Sequence, residues 1–168
     1  CDAIYFTTEK EQLPPNETVQ LTDFRKKMLN IPAELELYSY DVIVIGGGIA
    51  GMCAAAAASR LGCKVALIND RPVLGGNNSS EVRVHLGGNI GVGPNSGLGR
   101  MIREFGHSKE GNAKPAANYE DEKKELFIAN EKNITLYANY RAISVKTDGN
   151  RIESVIIKHC LLYTSPSP

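Results

Sequence analysis

The chain has 168 residues, long enough for one compact domain with a core of its own. Its 19 Lys+Arg balance 19 Asp+Glu, so nothing suggests a basic nucleic-acid groove or a patch built for an anionic membrane surface. The longest apolar stretch, roughly Ile49 to Ala58, is far too short to cross a bilayer.

Residues 1–40 are mixed and polar, and Pro14, Pro15 and Pro32 interrupt any long element, so this part reads as a lead-in with a short helix over Asp23–Leu29. Asp41–Ile45 is then a β-branched run, which predicts a strand buried on both faces of a parallel sheet. A turn at Gly46-Gly47-Gly48 leads into an Ala-rich helix over Ile49–Leu61, stopped by Gly62. Lys64–Asn69 is the second strand, completing a strand–turn–helix–strand unit.

Residues 71–99 form a long Gly/Asn/Ser-rich stretch, and a loop of that length inside a compact domain is usually functional. Leu98–Phe105 predicts a short helix capped by Asn95 or Ser96, and Asn118–Asn130 a second, charged one. A strand at Ile134–Tyr137 follows. Ala142–Thr147 and Arg151–Lys158 then alternate around Asp148-Gly149-Asn150, a hairpin signal. The tail from Cys160 to Pro168 continues none of these patterns. It resembles a translated cloning scar and is expected to lie outside the sheet. The organisation expected is thus a lead-in (1–40), a nucleotide-binding domain (41–159) and a non-native tail (160–168).

The chemistry sits in the first turn. Gly46-x-Gly48-x-x-Gly51 lies between a buried strand and a helix, the setting that makes the pattern a dinucleotide fingerprint. Gly46 permits the turn, Gly48 lets backbone approach a pyrophosphate, and Gly51 allows close helix packing, which Ala54, Ala55 and Ala58 extend. The anion would rest on free N–H groups at the helix start. An acidic residue usually ends the second strand and accepts from the adenosine ribose. Asn69 holds that register and Asp70 follows it, so either side chain is a candidate, with Asp70 the stronger acceptor. Arg71 opens a rival reading, a 2′-phosphate and hence NADP.

Asp41-Val-Ile-Val-Ile-Gly-Gly-Gly-Ile-Ala-Gly51, with Gly62-x-x-Val65 and Arg71-Pro-Val-Leu-Gly-Gly76, resembles the glutathione-reductase-type FAD-binding domain. The run from Asp70 to Val84 is similar to the broad, mostly bacterial FAD-dependent oxidoreductase family. That resemblance implies an α/β, Rossmann-like fold with a parallel sheet, an antiparallel β-meander and FAD as cofactor. It implies that Gly75 and Gly76 lie along the FAD phosphates, with Asn77, Ser79 and Ser80 donating hydrogen bonds nearby. Relatives of the fumarate-reductase kind carry a second glycine pair. Here it is Gly87-Gly88, displaced along the chain, with residues 81–90 expected near the flavin ring.

The reaction implied is hydride transfer between a small organic substrate and the flavin. The chain is expected to be an incomplete, amino-terminal portion that turns over nothing alone. An NAD(P)-binding dehydrogenase or reductase domain and an inactive fragment are the alternatives. Glu81, Arg83 and His85 would share one face if their segment is a strand, either meeting substrate or simply solvated. His107 and His159 carry no assignment. Cys53 reads as a packing residue. The cysteines at 1, 53, 63 and 160 include no Cys-x-x-Cys pair and no metal-ligand spacing, so no metal site and no redox disulfide are expected. Reduced thiols point to the cytoplasm, and a lipid-bearing Cys1 of an exported protein is the other reading.

Overall fold

The computed structural model describes residues 14–28, 36–88, 91–94, 96–106 and 111–160. Helix α1 (Thr18–Met28) stands in a unit separate from the compact unit Ser39–His159. It starts soon after Pro14-Pro15, ahead of the expected Asp23, because nothing between Pro15 and Asp23 opposes helix. Leu29, Asn95 and the tail residues 161–168 fall outside the described residues, and the expectations placed on them with it.

The compact unit is α/β. Strand β1 (Val42–Ile45) leads through the glycine turn into α2 (Ile49–Arg60) and returns as β2 (Val65–Asn69). A long loop, α3 (Leu98–Phe105), a 3-10 turn (Ala116–Tyr119) and α4 (Asp121–Ala129) follow. The chain then re-enters the sheet as β3 (Ile134–Ala138). The three strands are parallel in the order β1-β2-β3, with Val42 opposite Val65 and Val65 opposite Ile134. Strands β4 (Tyr140–Asp148) and β5 (Arg151–His159) form an antiparallel hairpin about Gly149-Asn150, with irregularities at 142–144 and 146–147.

Burial explains the order. Central β2 is buried at every position, whereas β1 alternates. Its Val42 and Val44 pack with α2, but Ile43 and Ile45 remain 40% and 56% exposed. The expectation of a strand buried on both faces is corrected here. Helix α2 covers one face of β1 and leaves the other open. Along α2 the buried residues are Met52, Ala55, Ala56 and Ser59, the i, i+3, i+4, i+7 stripe of a helix on a sheet. Ala54, expected on that face, points out to solvent. The helix ends in a Schellman motif: the Gly62 N–H bonds Ser59 O at 2.9 Å and the Cys63 N–H bonds Ala58 O at 3.1 Å, with Gly62 at φ +93°.

The core continues into Phe105 of α3 and Phe127 of α4, whose ring centroids lie 4.5 Å apart. No side chain caps α3. Its N-cap is Gly97, in place of the expected Ser96. The charged helix expected over Asn118–Asn130 is broken at Glu120, which takes φ +45°. The break separates the buried Tyr119 from α4 and lets its carbonyl turn toward the Lys124 ammonium. On the other side of the sheet, Tyr40, Tyr137, Tyr140 and His159 meet edge to face, and the hydroxyls of Tyr40 and Tyr137 lie 2.8 Å apart. Among the described residues no helix is long and apolar enough to cross a membrane.

Arg60, in the last turn of α2, grips both Glu104 oxygens at 3.0 and 2.7 Å and Glu131 at 2.7 Å. The Arg60 hydrogen bonds hold the Glu104 carboxyl below its ordinary value. A depressed carboxylate contributes stability that is present above its unfolded pKa and lost as pH falls through the folded one. Both side chains are more than two-fifths exposed, so solvent screens most of the effect. Glu104→Gln should therefore cost only about 0.5 kcal/mol at neutral pH. Denaturant titrations of the two proteins should converge as the pH is taken below the usual glutamate value of about 4.3.

Candidate functional site

At the carboxyl end of the sheet, two glycine loops meet backbone to backbone. The first leaves β1: Gly46, at φ +108°, donates its N–H to Ile68 O at 2.8 Å, so the turn is tied to the end of β2. The second follows β2: the Gly75 N–H donates to Gly47 O at 2.8 Å, and Gly48 and Gly75 form a parallel bridge. Gly76, at φ +59°, brings its backbone against Gly48, where an added Cβ would lie 3.1 Å from Gly48 Cα.

The glycines divide by what demands them. A Cβ on Gly51 would collide with the Gly46 carbonyl oxygen, so that residue serves helix packing. A Cβ on Gly47 would lie 2.6 Å from Leu74 Cδ2 and 2.7 Å from Asn69 Cγ. Gly47, a variable position of the fingerprint, escapes motif reasoning, although a run of three glycines is its trace in the sequence. Gly48 differs. Its φ of −70° suits any residue, and an added Cβ would meet only Gly76 Cα, at an ordinary 4.0 Å. The protein itself leaves that space open. Gly48 is also the N-cap of α2, and no side chain caps it, so the first N–H groups of the helix have no partner from a capping side chain.

Asn69 is 6% exposed and acts as a staple. Its Oδ1 accepts from the Gly47 N–H at 3.2 Å, and its Nδ2 donates to Arg71 O at 2.9 Å and Val73 O at 3.0 Å. Asp70 and Arg71 lie outside, at the rim. Asp70 pairs with Arg141 of β4 at 3.2 Å, and Arg71 with Glu81 at 3.6 Å.

Beyond Gly76 the chain folds on itself. Asn77 is exposed, whereas Asn78 and Ser79 are buried. Ser79 Oγ donates to Gly76 O at 2.7 Å, and Asn78 Nδ2 to Val84 O at 2.9 Å, while Asn78 Oδ1 is buried without a partner. The Ser80 N–H is held by both oxygens of Asp121, at 3.1 and 3.2 Å. Asp121, Lys124 and Tyr119 gave no sequence signal, since a lone acid, lysine and tyrosine on a charged segment read as surface.

Glu81, Arg83 and His85 do not share a strand face. Arg83 takes φ +61°, its N–H bonds Ser79 O at 2.8 Å, and its carbonyl accepts from Ala113 N and Tyr119 Oη. Those bonds bend the segment and replace a sheet ladder. His85 turns instead to residues 111 and 112, its N–H donating to Asn112 Oδ1 at 2.6 Å. Gly87 and Gly88 are exposed. Cys53 is half-buried, and burial, with Glu104 nearby, pushes its thiol up, away from the thiolate that redox work needs. Among the described residues no group of three or more His, Cys, Asp or Glu could hold a metal ion.

Comparisons with known proteins agree with this architecture. The soluble pyridine nucleotide transhydrogenase of Azotobacter vinelandii is 39% identical over 71 residues, 42% of this chain and 13% of that protein. The enzyme of the same name from Ectopseudomonas mendocina is 36% identical over the same length. The chain therefore spans about 13% of the length of these curated relatives. The crystal structure of THI4 from Thermovibrio ammonificans superposes with a TM-score of 0.51 over 86% of this chain and 55% of that one, at 18% identity, a likeness of fold. The model of the FAD dependent oxidoreductase family matches residues 41–163, most of the chain, and to that family the chain belongs.

Proposed function

We propose that this chain supplies the FAD-binding portion of an oxidoreductase that moves a hydride between a small organic substrate and the flavin. The observation that carries the reading is Gly48. Neither its backbone conformation nor any protein neighbour requires glycine there, yet the position faces a second glycine loop at an uncapped helix start. An anion accepted by those N–H groups explains the missing side chain. In this reading a pyrophosphate lies against the Gly48 backbone, where a Cβ would intrude.

In this reading Gly46, Gly48 and Gly76 form the backbone cradle, and Gly51 and Gly75 hold it from behind. Asn69 keeps the two loops in register. Asp70, at the end of β2, accepts from the adenosine ribose, and Arg141 orients its carboxylate. Asn77 and Ser80 lie where the second loop meets solvent and are assigned to the phosphate and ribityl side. Ser79 is a support, because its hydroxyl already serves Gly76 O. Arg71 is not read as a 2′-phosphate ligand, since the Glu81 carboxylate beside it would repel one. Bound there, the flavin would supply the hydride chemistry, and the protein its binding and orientation.

Two measurements test the assignment. Titrated with FAD and followed by flavin fluorescence, Gly48→Ala should bind at least tenfold more weakly, about 1.4 kcal/mol, at unchanged thermal stability. Equal FAD binding by variant and parent, or a parent that prefers NADP to FAD, would overturn the reading. Asn69 and Asp70 should separate in the same assays. Asn69→Ala removes buried hydrogen bonds and should lower stability by about 1–3 kcal/mol. Asp70→Ala touches a surface pair and should leave stability within about 1 kcal/mol while weakening FAD by about 1.5 kcal/mol or more.

A further inference from the structure

Lys124 is fully buried, and nothing in the fold of α4 asks for a charge there. Burying an ammonium costs several kcal/mol unless it is paired and hydrogen-bonded, and an apolar side chain of that length fills a core without the cost. Desolvation pushes this lysine down, and Asp121 and Glu120 pull it back up. Its Nζ donates to Tyr119 O and lies 3.5 Å from Asp121 Oδ1. Both partners lead to the second glycine loop. Asp121 holds the Ser80 N–H, and the Tyr119 hydroxyl donates to Arg83 O at 2.6 Å. The lysine stem leads there too. A Cβ on Gly75 would lie 2.7 and 2.9 Å from Lys124 Cδ and Cε. Gly75 is glycine because its φ is +101° and because both the Asn78 carbonyl oxygen, 2.6 Å from an added Cβ, and the Lys124 stem lie against it.

We infer that Lys124 is a positioning residue for the cofactor loop: its stem packs on Gly75, its ammonium lies against the Asp121 carboxylate that holds Ser80, and it anchors the backbone carbonyl of Tyr119, the residue whose hydroxyl holds Arg83. The loop is thus held at its start by Lys124 itself and at its middle and end by Asp121 and Tyr119, both of which Lys124 braces. Gly48 and Gly76 face the ligand, and Gly75 faces the clamp. The inference deepens the FAD reading and rests on it for what the loop binds; the clamp itself belongs to the protein without ligand.

Amide hydrogen exchange on the ligand-free chain, paired with FAD titration, tests it. Lys124→Met keeps the stem and removes the charge. Ser80 and Arg83 amides should exchange about tenfold faster in it while β2 amides keep their protection, and FAD should bind several-fold more weakly. Asp121→Asn, at a partly exposed site, should speed Ser80 and spare Arg83, and it carries the test if Lys124→Met fails to fold. Unchanged Ser80 and Arg83 exchange in Lys124→Met overturns the clamp, and so does an equal loss of protection in β2, which would make Lys124 an ordinary core residue. If Lys124→Met does not fold, unchanged Ser80 exchange in Asp121→Asn overturns it. A parent chain that binds no FAD, with loop exchange still dependent on Lys124, overturns the flavin reading and leaves the clamp standing.

Discussion

The structure turns on one backbone contact: the hydrogen bond from the Gly75 N–H to Gly47 O, with Gly48 and Gly76 pressed together beside it. The two segments meet this closely because Gly47, Gly75 and Gly76 carry no side chain, and an added Cβ at each would lie 2.6–3.1 Å from a neighbouring atom. Three elements converge to allow it. The end of β1 delivers the first loop, the end of β2 the second, and α2 starts directly from the junction. Parallel pairing sets the height, because Ile45 lies opposite Ile68 and both strands end at the same edge.

Polar groups buried around that contact do what hydrophobic packing does elsewhere. Asn69, Asn78, Ser79 and Lys124 are buried polar residues, and all four bond the segment from Gly47 to Val84 or the groups that hold it. A buried polar group without a partner is costly, so each bond made also fixes the backbone that makes it. Glycine- and asparagine-rich sequence is flexible in itself. Here it is held by side chains from β2 and α4. Such a surface can present N–H groups to an anion with little reorganisation on binding.

Around this rigid centre the rim is looser. Asp70–Arg141 and Arg71–Glu81 are exposed ion pairs, individually of small energetic weight. Their value lies in orientation, since each holds a charged side chain in place beside the glycine loops. Arg141 joins the hairpin of β4 and β5 to the carboxyl end of the sheet through Asp70.

Local chemistry alone determined the strand–turn–helix–strand unit, the glycine fingerprint, the Gly62 helix stop and the hairpin at Gly149. Each depends on conformational preferences of a few adjacent residues, which sequence carries directly. Which glycines the protein's own packing demands could not be read there. Gly47 is demanded by Leu74 and Asn69, Gly51 by Gly46, and Gly75 by its own φ of +101°, the Asn78 carbonyl and Lys124, the last nearly fifty positions away. The same holds for Arg83, which would share a face with Glu81 and His85 only in a strand, and which its bonds to Ser79 and Tyr119 hold in a bend. Lys124 lay hidden in a charged helix because a lysine's burial depends on what packs over it. Only the tertiary structure brings those neighbours together, since contact between distant segments is set by the packing of the whole unit and leaves no local trace.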